Sequence, residues 1–155
     1  MYRFVSRSKT RKGFTLVELA VVIVIIGVLA AFGVPRFLKS VERSKAAESF
    51  SYLSAVRSSQ ERYLAQYGQY STDLTQLDIQ IPSPAYFTIG TVSAGSTGLT
   101  QNSWSLTLTR TGASAGYGAY TVIFTDQGYD ATNSGIQTLP DINPISNSIA
   151  TGTSS

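Results

Sequence analysis

From Phe14 to Val34 the chain is an apolar run broken by a single acid, Glu18. Those 21 residues would span about 31 Å as a helix, close to the thickness of a bilayer's hydrocarbon core. Downstream the pattern changes but its period does not. Phe50, Leu53, Val56, Gln60, Leu64 and Tyr67 recur at spacings of three and four, the stripe of an amphipathic helix, and Phe37, Leu38 and Val41 carry a weaker apolar face ahead of it. Gly68 then reads as a C-terminal stop. The spacing predicts one long helix over about residues 14–67.

Beyond residue 70 the period becomes two. Ser71 to Pro84 is polar and turn-rich, with a short turn expected at Leu74–Leu77. Tyr86–Ser93, Ser103–Arg110 and Ala119–Thr125 then alternate, with Trp104, Leu106 and Leu108 on one side of the second segment and Tyr120, Val122 and Phe124 on one side of the third. Such alternation predicts a half-buried antiparallel sheet whose apolar face lies on the Phe50–Tyr67 stripe. The loops 94–102 and 111–118 are rich in Gly, Ser and Thr, as hairpin connections should be. The expected fold class is therefore α+β.

Three readings compete for the apolar segment. A buried helix of a globular core would need a polar face, and none exists between Leu19 and Val34. A cleaved secretory signal would use the basic start, the apolar run and Val28-Leu29-Ala30 as a small-x-small cleavage site. Glu18 at the head of the run, and a helical pattern that continues well past Ala30, fit a retained segment better. An acid in hydrocarbon costs roughly 2.5–3.5 kcal/mol on insertion scales, so it needs a reason.

The junction Lys12-Gly13-Phe14-Thr15-Leu16-Val17-Glu18 closely resembles the processing site of type IV prepilins and type II secretion pseudopilins. That resemblance implies cleavage between Gly13 and Phe14 on the cytoplasmic side by a prepilin peptidase, and N-methylation of Phe14 by the same class of enzyme. Glu18 becomes the fifth residue of the mature chain, and the resemblance assigns it a pairing with the Phe14 amine of a neighbouring subunit during filament assembly. Opposite charges in a dry bundle attract strongly, and leaving either one alone is costly. Gly27, Gly33 and Pro35 are the helix breakers of the segment, and in the resembled family a proline at this place marks a bend. In many relatives a disulfide closes a C-terminal loop, which this chain, lacking cysteine, departs from.

Charge sharpens the picture. The chain is +3 overall, yet Arg3, Arg7, Lys9, Arg11 and Lys12 all lie in the leader, and the side chains of the remainder sum to −2. The leader argues for a cytoplasmic flank, while the remainder offers no nucleic-acid site. Arg36, Lys39, Glu42, Arg43, Lys45 and Glu48 form a mixed-charge stretch just after the apolar run, with Lys45–Glu48 as a possible local pair. The absence of histidine and cysteine excludes Cys/His metal sites, Ser-His and Cys-His catalysis, and disulfides. Asp126, Asp130 and Asn133 do not match an EF-hand spacing, and a turn explains them as well as calcium does. No metal, cofactor or catalytic constellation is expected, and the protein is read as a non-enzyme.

The expected organisation is a leader over 1–13, an assembly helix that spans the membrane over 14–35, its amphipathic continuation over 36–68, a connection and sheet over 69–130, and a polar loop and tail over 131–155. The expected function is a structural subunit, a major pilin more than a secretion pseudopilin. It would sit in the bacterial inner membrane as a precursor and then polymerise with copies of itself, through dedicated assembly machinery, into an extracellular or periplasmic filament. A single-helix-anchored or secreted binding protein is the alternative.

Overall fold

The computed structural model describes residues 13–112 and 116–146. The basic leader before Gly13, part of the loop ahead of Tyr117 and the last nine residues of the polar tail lie outside the described residues. Helix α1 (Leu16–Tyr67) is one unbroken element of 52 residues, within two residues of its expected start. The chain separates into two compact units, one up to Arg36 and one from Phe37 onward.

In the first unit α1 buries nothing. Every described residue from Gly13 to Arg36 is exposed, including Leu16, Ile23 and Phe32. Gly27, Gly33 and Pro35 all lie within the helix, and a Cβ at either glycine would meet open space.

The second unit is α1 from Phe37 together with a five-stranded antiparallel sheet. The strands are β1 (Phe87–Ile89), β2 (Ser93–Ala94), β3 (Trp104–Arg110), β4 (Thr121–Thr125) and β5 (Gly128–Tyr129). β3 is the centre, pairing with β4 on one side and with both β1 and β2 on the other. Alternation holds in both long strands: Trp104, Leu106, Leu108 and Arg110 are buried on β3, and Val122 and Phe124 on β4, while the residues between them are partly exposed. The core joins this face to Ala46, Tyr52, Leu53 and Val56 of α1.

The first expected strand, Tyr86–Ser93, is divided. Ile89 pairs with Leu108 and Ser93 with Ser105, so three residues oppose two, which is the count of a β-bulge. Gly90 sits at the break with its N–H on the Thr107 carbonyl at 2.9 Å. After Thr125, a two-residue turn at Asp126-Gln127 leads into β5, a strand too short to show alternation. The Leu74–Gln76 stretch forms the expected turn as a 3-10 helix, capped by Asp73, whose carboxylate accepts the Thr75 N–H at 2.8 Å.

The buried face of α1 matches the expected stripe at Leu53, Val56 and Gln60 and departs from it at either end. It runs Glu42, Ala46, Ser49, Leu53, Val56, Gln60, whereas Phe50 and Leu64 are only partly buried and Tyr67 is 59% exposed. The face is set by what lies opposite as well as by hydrophobicity: Gln60 exchanges hydrogen bonds with the Ser71 backbone at 2.9 Å in each direction. Gly68 stops the helix at φ 73°, its N–H reaching the Leu64 carbonyl at 2.8 Å. The polar tail also contributes to the core, since Ile136 and Ile142 are fully buried.

Candidate functional site

At the head of α1 two side chains exchange hydrogen bonds. Thr15 donates its backbone N–H to Glu18 Oε2 at 2.8 Å and its hydroxyl to the same oxygen at 2.9 Å. The Glu18 N–H in turn donates to Thr15 Oγ1 at 3.2 Å. This is a capping box: two of the helix's unpaired N–H groups are satisfied reciprocally, and a negative side chain sits where the helix dipole is positive. The Thr15-x-x-Glu18 spacing is itself the sequence signature of such a box, and the residue that reading Glu18 alone misses is Thr15. Glu18 Oε1 takes no hydrogen bond among the described residues, which leaves one carboxylate oxygen open to solvent.

Gly13 and Phe14 lie immediately ahead of the helix, outside its hydrogen-bonded turns, and Phe14 is 79% exposed. The junction therefore lies outside regular structure and is exposed to solvent. The apolar side chains that follow, through Leu38, are exposed. Contiguous apolar surface on this scale marks a place where lipid or another protein is to be bound, and the helix is long and apolar enough to cross a bilayer.

Within the second unit a polar cluster fastens α1 to the sheet and to the C-terminal segment. Arg110 Nε donates to Glu42 Oε1 at 2.6 Å and Nη2 to Oε2 at 3.1 Å, a forked pair between two fully buried side chains. Tyr120 donates its hydroxyl to Glu42 Oε1 at 3.0 Å. The remaining nitrogen, Nη1, donates to the carbonyls of Tyr86 and Thr111. Lys45 Nζ stands 3.6 Å from Glu42 Oε2, so its partner is Glu42 rather than the expected Glu48; the Glu48 carboxylate accepts the Ala85 N–H instead. Burial alone would raise the Glu42 pKa, but hydrogen bonds from Arg110 and Tyr120, with the charges of Arg110 and Lys45, outweigh it and hold the carboxyl below its ordinary value. Burial and the nearby carboxylate push the Tyr120 hydroxyl far up, so it stays a donor.

Neighbouring turns of the helix face the C-terminal segment. Lys39 Nζ lies 2.6 Å from Asp141, and Arg43 Nη2 donates to the Pro144 carbonyl at 3.2 Å. Lys39, Glu42 and Arg43 thus each engage a partner about seventy or more positions away in sequence, which is why none of these contacts could be read locally.

Asp126, Asp130 and Asn133 line a cleft of about 410 Å³ beside β2 and the β4–β5 turn. Asp130 is engaged by its own loop, its Oδ1 accepting the N–H groups of Thr132 and Asn133 at 3.1 Å and its Oδ2 the Asn133 amide at 2.7 Å. These bonds are those of a capped turn.

Comparison with known proteins bears on the N-terminal segment most directly. The family model described as the prokaryotic N-terminal methylation motif matches residues 8–34. The type IV major pilin protein PilA of Myxococcus xanthus is 43% identical over 68 residues, covering 43% of this chain and 31% of that protein. The type IV narrow pilus major component PilA5 of Thermus thermophilus is 53% identical over 47 residues, 30% of this chain and 40% of its own length. The type IV major fimbrial protein FimA of Dichelobacter nodosus is 47% identical over 47 residues, 30% of this chain and 29% of its own length. The chain thus spans about a third of the length of the curated relatives it matches. No solved structure shows a significant match. With a methylation motif leading into an exposed apolar helix, and that helix continuing onto a small antiparallel sheet, the chain is similar to type IV pilins.

Proposed function

We propose that the protein is a major pilin, made as an inner-membrane precursor and polymerised through α1 into a type IV pilus filament that serves adhesion, motility or DNA uptake. A prepilin peptidase cuts between Gly13 and Phe14 and the new Phe14 amine is methylated; the apolar helix stays attached as the assembly element. Glu18, one turn from that amine, turns its open oxygen to the Phe14 amine of a neighbouring copy. Gly27, Gly33 and Pro35 supply the bend of the packed helix. The expected division holds a leader at 1–13, an assembly helix at 14–35, its continuation at 36–68, the sheet region at 69–130 and the tail at 131–155.

The observation that carries the reading is the methylation motif running straight into a helical segment whose described residues up to Arg36 are all exposed. Cleaving off five cationic side chains removes the charges that hold the segment's end at the cytoplasmic face. The relatives are named as pilins and fimbrial proteins, which favours a pilus over a secretion pseudopilus. The reading involves no catalysis and no bound cofactor or metal.

Mass spectrometry of the mature chain from sheared surface material, alongside electron microscopy of the same material, tests this. A filament subunit beginning at N-methyl-phenylalanine 14 is the expected result. A product beginning at Ala31 or Phe32 overturns it in favour of secretion.

A further inference from the structure

We infer that the cleft where the last turns of α1 meet the Leu74–Gln76 turn binds a neutral hexopyranoside, with the Tyr63–Tyr67 ring pair as its platform. This site lies wholly within the second unit and does not rest on the filament reading.

The cleft holds about 230 Å³ and is lined by Arg62, Tyr63, Gln66, Tyr67, Gln76 and Asp78 among others. That volume suits a single sugar ring better than an extended ligand. Tyr63 and Tyr67 stack with centroids 4.4 Å apart and planes tilted by 36°. Tyr63 is partly buried against the core, but Tyr67 is 59% exposed, so the pair presents a half-covered aromatic surface. A pyranose presents a face of C–H groups ringed by hydroxyls. Its C–H face matches a tyrosine ring, and its hydroxyls need groups that both donate and accept.

The cleft supplies such groups. Tyr63 donates its hydroxyl to Gln76 Oε1 at 3.0 Å and Ser71 Oγ approaches the same oxygen at 3.4 Å, which orients the amide and leaves Nε2 to donate. Gln66, on the same rim, makes no hydrogen bond among the described residues, so its whole amide is available. Polar groups held in place before binding lose less freedom when the ligand arrives.

Charge selects the ligand class. Arg62 grips Asp78 with Nε at 3.0 Å and Nη2 at 2.7 Å, and Nη2 also reaches Ser59 Oγ at 2.8 Å. The guanidinium and the carboxylate cancel, and only Nη1 remains as a donor. A phosphate or an acidic sugar would require an unbalanced cation, and none lines the cleft. A nucleic-acid strand would meet, besides, a chain whose side chains after the leader sum to −2.

The test uses the full chain in zwitterionic detergent micelles, whose headgroups carry no sugar, and the methyl glycosides of glucose, galactose, mannose and N-acetylglucosamine. Saturation-transfer NMR is expected to show transfer from tyrosine ring protons to at least one glycoside. Tyr67→Ala should weaken that glycoside about tenfold, while Tyr67→Phe, which keeps the ring, changes its affinity less than about threefold. Gln66→Leu, which keeps the platform and removes an amide, should weaken binding at least about threefold. Trp104 emission and circular dichroism identify any variant that has lost its fold. Absence of transfer from all four glycosides overturns the proposal, and so does transfer that persists unchanged in a folded Tyr67→Ala. Capture of a proline-rich decapeptide with no glycoside bound also overturns it, assigning the aromatic surface to a peptide.

Discussion

Glu42 and Arg110, 68 positions apart, meet in a forked ion pair at 2.6 and 3.1 Å with both side chains removed from water. One end of the pair is on α1 and the other at the end of β3, so the contact fixes helix against sheet at the first buried position of the helix. Burying two charges is unfavourable unless geometry and remaining hydrogen bonds compensate. Here Tyr120 and two backbone carbonyls complete the set. Such a pair contributes specificity of docking more than net stability, and this can be measured.

Glu42→Gln and Arg110→Met should each lower unfolding stability by about 3–5 kcal/mol, because each leaves its partner charged and buried. The double change Glu42→Leu with Arg110→Met should cost less than either single change, since no stranded charge remains. Guanidinium unfolding of the full chain in micelles, followed by emission of the fully buried Trp104, is the measurement. Single variants within about 0.5 kcal/mol of the wild type, the range of ordinary surface changes, would remove the pair from any structural role.

The same carboxylate sets an acid limit. Because the folded Glu42 carboxyl holds its proton less tightly than the unfolded one, its contribution is complete above the unfolded glutamate value of about 4.3 and is lost as pH falls through the lower folded value. Stability should therefore decline below about pH 4.5. Glu42→Gln, having no proton to take up at this position, should show a shallower decline from a lower plateau. Equal slopes for the two proteins would place the acid sensitivity elsewhere, among Asp73, Asp78 and Asp130, whose carboxyls are also held below their ordinary values by local hydrogen bonds.

The parts of this fold visible in the sequence are those governed by period alone. α1, β3 and β4 are long enough for their spacing to show, and the burial alternation of Trp104–Arg110 follows the pattern residue by residue. What escaped depends on partners or on brevity. Glu42 looks like one more charge in a solvated stretch until Arg110 is brought beside it. Ile136 and Ile142 sit alone among polar residues, with no periodicity to mark them as core, yet both are fully buried. β5 is two residues long and exists only because Phe124 and Thr125 offer it an edge. At the N-terminal site the methylation motif is legible in the sequence, whereas Glu18 taken as a lone charge conceals Thr15-x-x-Glu18 as a helix cap.

The bulge between β1 and β2 depends on glycine for space. A Cβ at Gly90 would lie 2.9 Å from the Thr107 carbonyl oxygen, a backbone atom that cannot move without disturbing β3. Gly90→Ala should destabilise the second unit by about 1–3 kcal/mol, the usual cost of forcing extra volume into a packed site. Gly98→Ala is the control for crowding: it also sits in a loop, and its Cβ would meet nothing within 4 Å, although its φ of 75° imposes a backbone strain of about 1–2 kcal/mol. The two variants are separated by the sheet itself. Amide exchange at Thr107 and Leu108 should accelerate in Gly90→Ala and stay unchanged in Gly98→Ala.

Glu18 has two roles to separate, the cap it makes on its own helix and the partner it is proposed to offer a neighbouring Phe14 amine. Glu18→Ala removes both, so failure of that variant to assemble would not say which matters. Glu18→Gln distinguishes them: an amide oxygen still accepts from the Thr15 N–H and hydroxyl, so the capping box survives, while the negative charge is gone. A lost cap costs about 1 kcal/mol at one helix end. An unpaired amine in a dry bundle costs several. If charge pairing governs assembly, Glu18→Gln should insert and be processed at Gly13-Phe14 normally, and yet yield as few filaments as Glu18→Ala when sheared pili are counted by electron microscopy. Filaments from Glu18→Gln at wild-type abundance, with Glu18→Ala defective, would assign the residue to its own helix and leave the Phe14 amine to find another acceptor.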